Sequence, residues 1–128
     1  MLSVGMVLTG KHKMNRINKT KLKALHKKMT AHYQYNEFFQ IIYPRITKRS
    51  VEAAIGDAIE VSYWKDSGGG YHECYFSIYD KPYSEVSRKR DLWGASNYIN
   101  DNVSGSTRAE ATFMAYSKIV KLALELAK

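Results

Sequence analysis

Two alternating segments around a glycine-rich turn constrain this chain most. Ile59–Lys65 (IEVSYWK) sets Ile59, Val61 and Tyr63 on one side. Tyr71–Asp80 (YHECYFSIYD) sets Cys74, Phe76 and Ile78 on one side and Tyr71, Glu73, Tyr75 and Tyr79 on the other. Asp66–Gly70 (DSGGG) lies between them and supplies residues that tolerate positive φ, as a hairpin loop demands. The sequence therefore predicts a β-hairpin with one apolar face, and such a face needs a covering layer.

The C-terminal region offers that cover. Thr107-Arg108-Ala109-Glu110 matches a capping box. From Ala109 to Ala127, Phe113, Tyr116, Val120, Ala123, Leu124 and Ala127 recur at helical spacing, with Ile119, Leu122 and Leu126 beside them. Burying one such Leu or Phe contributes about 1.5–3 kcal/mol, so this helix should dominate stability.

Lys19–Tyr33 carries a second helical stripe of Leu22, Leu25, Met29 and Tyr33. Lys21, Lys23, Lys27 and Lys28 point away from it, and Asn18 or Thr20 could cap it. Asn36–Ile46 is dense in Phe and Ile, as a helix or a buried strand, and Pro44 should end that element. Thr47–Ala58 reads as a short helix capped by Ser50 and stopped by Gly56, with Val51, Ala54 and Ile55 inward. Pro82–Arg90 reads as a loop or edge strand, Asp91–Ile99 as a third strand bent at Gly94, and Asn100–Gly105 as a turn. The expected fold class is α+β: a small three- to four-stranded antiparallel sheet packed by an N-terminal basic helix and a long C-terminal helix. One domain is expected over 19–128, after a basic leader, open to disorder, over 1–18.

Composition narrows the classes. With 128 residues, 45% hydrophobic and 25% charged, the chain suits one globular domain and neither disorder nor collagen. No apolar run approaches the roughly 18 residues of a membrane span, so no membrane partner is expected. Cys74 is the one cysteine, which excludes an intrachain disulfide framework and fits a reducing, cytoplasmic setting. Met1–Gly10 lacks the leading charges and the cleavage pattern of a secretory signal.

The net charge of +8 is unevenly placed. Residues 1–50 hold eleven Lys/Arg and one acid, Glu37, while residues 51–128 hold nine Lys/Arg and eleven acids. Lys11, Lys13, Arg16, Lys19, Lys21, Lys23, Lys27 and Lys28 follow one another without an anion. Cations this close repel, and an anionic partner relieves that cost; a solvated, solubilising face is the plainer alternative. The expected anion contacts are Lys19, Lys23, Lys27 and Lys28, with Arg88, Lys89 and Arg90 as a secondary set. Ser106, Thr107 and Arg108 open the last helix, where N–H groups and the dipole favour an anion; a plain N-cap with a surface arginine is the alternative. Tyr71, Tyr75 and Tyr79, with Trp64 beside them, could stack bases, pack under a helix or form an oligomer interface.

Catalytic signatures are missing from the sequence. Cys74 alternates inward as a core residue does, and no G-x-S-x-G occurs. His26 and His32 are six apart and miss the zinc-helix spacing, while His72-x-Cys74 lacks a third ligand. The acids are scattered, and Asp66–Gly70 lacks the Lys-Ser/Thr of a phosphate loop. No catalytic residue, metal or cofactor is expected.

Gly105-Ser-Thr-Arg-Ala-Glu-Ala111, opening an Ala-rich helix after the strands, resembles the G-x-T-x-x-E-A turn of HicB-like antitoxin domains. Gly70-Tyr-His72 ahead of that helix is similar to the Gly-x-His stretch of the double-stranded-RNA-binding domain, with Arg108 standing where that family has a Lys-Lys pair. The Thr-x-x-x-Ala helix start also resembles small phage α-β-α sandwich proteins, among them anti-defence sponges that sequester cyclic-nucleotide signals at oligomer interfaces. The resemblances imply α-β-β-β-α order and a nucleic-acid or nucleotide ligand. The expected function is a non-enzymatic module for a polyanion, nucleic acid first. The alternative is a phage-type accessory protein, oligomeric, that holds a small nucleotide or blocks a host protein. A homo-oligomer is expected in either case.

Overall fold

The computed structural model describes residues 16–31, 34–65, 68–86 and 89–127. Its elements are α1 (Lys19–Thr30), β1 (Gln34–Tyr35), β2 (Ile41–Ile42), α2 (Lys48–Ile55), β3 (Asp57–Lys65), β4 (His72–Pro82), β5 (Asn97–Gly105) and α3 (Arg108–Leu126). Short 3₁₀ turns lie at Tyr83–Glu85, within the stretch read as a loop or edge strand, and at Lys89–Leu92, which begins inside that stretch and runs past it. The class is α+β, as the sequence predicts: β3, β4 and β5 form a three-stranded antiparallel sheet in that order, and β1 and β2 form a separate two-stranded one.

Alternation sets the layers. Ile59 pairs with Ile78, Val61 with Phe76 and Tyr63 with Cys74, and this row faces a core shared with α3. α3 lies across the sheet with Phe113, Tyr116, Ile119, Val120 and Ala123 buried. α1 rests chiefly on α2 and α3. Its apolar stripe is short, since the helix ends at Thr30; Leu22 and Met29 are buried, and Tyr33 lies outside the described residues.

The caps follow local chemistry. Asn18 Oδ1 accepts from Lys21 N at 3.1 Å, and Asn18 N donates to Ala54 O at 2.8 Å, fastening α1 to α2. In α2 the cap is Thr47, whose Oγ1 accepts from Ser50 N at 3.1 Å. Ser50, expected to be the cap, thus sits in the first turn. Gly56 ends the helix at φ +82°, as the sequence predicts, and β3 begins at Asp57, two residues ahead of the expected Ile59. Ahead of α1, Ile17 packs against the core and the Arg16 guanidinium pairs with buried Asp57.

The third strand differs most from expectation. The stretch 91–96 turns through Gly94 (φ +85°), leaving Trp93 exposed, and the segment read as a turn is β5. Asn and Asp disfavour strands, but pairing with β4 overrides that preference. Ile99 and Val103 face the core, and Asn100, Asn102 and Ser104 alternate to the exposed side. Asp101 shares the inner row and is met by Lys118 Nζ of α3 at 2.6 Å.

Burial pushes the Asp101 carboxyl up, but Lys118 and the Asn102 N–H outweigh it and leave the pKa below its ordinary 3.8. A depressed native value means the stabilisation is full above the unfolded pKa and is lost as pH falls through the native one. Asp101→Asn is expected to cost about 1 kcal/mol at neutral pH in urea unfolding. The gap to wild type should begin to close as pH falls past the ordinary aspartate value and be gone below the depressed native one.

Candidate functional site

The basic residues of α1 do not act as one stripe. Lys19, Lys23 and His26 fall at i, i+4 and i+7 on one flank of the helix. That flank forms one wall of an open groove of about 600 Å³, with Lys121, Leu124 and Glu125 from the C-terminal half of α3 and Ala127 just beyond it. Leu124 and Ala127 give apolar surface, and Glu125 is the acid in the lining. Lys27 is exposed about 40° round the helix from Lys23, while Lys28 lies about 180° from Lys19 and faces solvent away from the groove. Arg16 is held by Asp57 and is spent on structure.

Of the secondary contacts, Arg88 lies outside the described residues. Lys89 belongs to a 3₁₀ turn, and Arg90 is exposed and does not line this groove.

The start of α3 is closed by its own carboxylate. Glu110 N donates to Thr107 Oγ1 at 3.1 Å, and Glu110 Oε1 accepts from Ser106 N at 3.1 Å. The reciprocal bond of the capping box thus reaches Ser106 and not Thr107. The second oxygen, Oε2, accepts from Tyr43 OH at 2.9 Å. A negative charge already stands where Ser106 and Thr107 would have met an anion. The Arg108 guanidinium lies 4.4 Å above the Tyr63 ring, and Tyr63 OH is hydrogen-bonded to His72 Nδ1. His72 is therefore engaged by a tyrosine.

Arg108 also edges a second groove of about 510 Å³, with Tyr43, Pro44, Arg45, Ile46, Ala109, Thr112, Phe113 and Tyr116. Among the described residues, its lining holds two guanidinium groups and no acid. Cys74 lies nearby, with Sγ 3.8 Å from Thr112 Oγ1. Burial pushes its thiol pKa up against the opposing pull of Thr112 and Arg108, so the thiol stays protonated and unreactive at neutral pH. Among the described residues no group of three or more His, Cys, Asp or Glu could hold a metal ion.

The tyrosine face of the sheet lies opposite the helices. Trp64, Tyr71 and Tyr75 are exposed there and Tyr79 is half-buried. The rows Trp64–Glu73–Ser104, Ser62–Tyr75–Asn102 and Glu60–Ser77–Asn100 carry two acids and no Lys or Arg. Tyr75 OH donates to Glu73 Oε2 at 2.8 Å. Aromatic rings and groove lysines thus occupy opposite sides of the domain.

Arg45 and Lys121 were not among the residues the sequence singled out, and His26 was weighed there only as a metal ligand. His26 was legible as sharing the Lys19–Lys23 flank; Lys121 joins it only through the packing of α1 on α3. No helix among the described residues is long and apolar enough to cross a membrane. No protein-family model, curated protein or solved structure matches this chain.

Proposed function

We propose that the protein is a non-enzymatic module that binds nucleic acid through phosphate contacts at the α1–α3 groove. The observation that carries this reading is the meeting of Lys19 and Lys23 with Lys121, from two helices, in one groove. α1 itself bears five lysines and no acid. Such a cluster concentrates positive potential and is relieved by polyphosphate. The acidic, aromatic sheet face on the other side favours contact with a phosphate backbone over base stacking. The α-β-β-β-α order and the Gly70–His72 resemblance support a duplex as the ligand.

The three groove lysines and neighbouring Lys27 would release about four counterions. Affinity for a duplex should then fall with a log–log salt slope of about −3 to −4, or about a hundredfold between ~50 and 200 mM salt. Fluorescence anisotropy with a labelled duplex measures this, and a flat salt profile rejects the phosphate mechanism.

A second reading rests on the other groove. Its size suits a mononucleotide-sized ligand, and Arg45 and Arg108 could both meet phosphate. That is the nucleotide-sequestering version. Calorimetry with cyclic dinucleotides separates the two: a saturable isotherm abolished by Arg108→Ala would replace the nucleic-acid reading.

A further inference from the structure

The segment read as a buried element is an apolar projection. Asn36–Ile46 was expected to form a helix or a buried strand. Instead β1 and β2 make a hairpin in which Tyr35 is 60%, Phe38 72% and Phe39 87% exposed, with Ile41 and Ile42 exposed beside them. Phe, Ile and the ring of Tyr normally drive burial, so five such side chains in nine residues mark a contact surface.

The apex is built to stay out. Asn36 Oδ1 accepts from Phe38 N at 2.8 Å and from Gln40 N at 3.0 Å, and Asn36 Nδ2 donates to Gln40 Oε1 at 2.9 Å. Asn36 O accepts from Phe39 N, and Asn36 N donates to Gln40 O, both at 3.0 Å. The N–H groups of Phe38, Phe39 and Gln40 are therefore satisfied within the turn and can be covered without loss. Phe39 sits at φ +59°, a left-handed conformation that strains a bulky residue. Behind the apex, Tyr43 anchors the base through Glu110 and through its ring, 5.0 Å from that of Phe113.

Charge selects the occupant. Lys27 and Lys28 precede the hairpin and Arg45, Lys48 and Arg49 follow it, all exposed, with Glu37 the one acid between. Two hairpins brought together about a two-fold axis would set these collars against each other. The open sheet face has the complementary character: exposed Trp64, Tyr71 and Tyr75 with Glu60 and Glu73. The hairpin side chains offer on the order of 600 Å², near the ~800 Å² per partner of a stable interface.

We propose that the Phe38–Phe39 apex of one copy docks on the Trp64–Tyr71–Tyr75 face of a second copy, with Arg45, Lys48 and Arg49 meeting Glu60 and Glu73. The two patches differ, so the contact is head-to-tail and leads to a ring or an open chain.

The test is complementation, by sedimentation velocity on nuclease-treated protein in a concentration series into the high micromolar range. Wild type should associate beyond the 14.7 kDa monomer. Phe38→Asp/Phe39→Asp and Trp64→Ser/Tyr75→Ser should each be monomeric alone, and their equimolar mixture should stop at a dimer, since one intact interface remains. Wild type that stays monomeric, a sheet-face variant that associates like wild type, or a mixture that stays monomeric overturns the proposal. If the phenylalanine variant fails to fold, a charge swap reads the same contact. Glu60→Lys/Glu73→Lys and Arg45→Glu/Arg49→Glu should each weaken association, and mixing them should restore it; failure to restore it also overturns the proposal.

Discussion

Reversing Lys19, Lys23 and Lys121 to Glu is expected to lower affinity for a duplex at least about a hundredfold at ~50 mM salt. The salt slope should flatten by about 3, one for each lost phosphate contact. All three side chains are exposed, so the fold should tolerate the change. A glutamate at position 19 even suits the positive end of the α1 dipole. The matched control is Lys21→Glu/Lys28→Glu/Lys65→Glu, which changes the formal charge equally at exposed positions outside the groove. Long-range attraction alone should cost that control less than about tenfold, with little change in slope. Equal losses in the two triples would show that net charge and not the groove carries the binding.

The contrast between these triples shows where sequence reading stops. Lys19 and Lys23 were legible because helical spacing is local; so were Asn18 as a cap and the inward Cys74–Phe76–Ile78 row. Arg16 was not, because its partner Asp57 lies 41 residues away and an ion pair at that separation leaves no periodic trace. Lys121 entered the groove only when α1 packed on α3. β5 hid behind Asn and Asp, whose turn preference yields to a register with β4 that local pattern does not show. The 34–42 hairpin misled in the opposite sense. Its Phe and Ile content reports a need for cover, but not whether the cover is this chain's own core or another surface.

Gly56→Ala is expected to destabilise the domain by about 3 kcal/mol or more, with Tm lower by about 10–15 °C. Two effects add. At φ +82° a Cβ costs about 1–2 kcal/mol. The Cβ would also collide with the Arg16 backbone, including its carbonyl carbon at 2.8 Å, and backbone cannot swing aside as a flexible side chain can. Moving Arg16 draws its guanidinium from Asp57, whose carboxylate is buried and would lose its ion pair. Arg16→Ala should therefore share part of the loss. Because Gly56→Ala already displaces Arg16, the double variant should cost clearly less than the two single losses combined. The same contact bears on binding: Asn18, which fastens α1 to Ala54, and Lys19, which opens the groove, lie two and three residues beyond Arg16. Gly56→Ala should therefore weaken duplex binding even at temperatures where the domain stays folded, whereas Asp101→Asn should not. Wild-type melting of Gly56→Ala, read by circular dichroism, would mean that the chain does not cross Gly56 at Arg16, and α1 would then lose the anchor that aims Lys19 and Lys23 at Lys121.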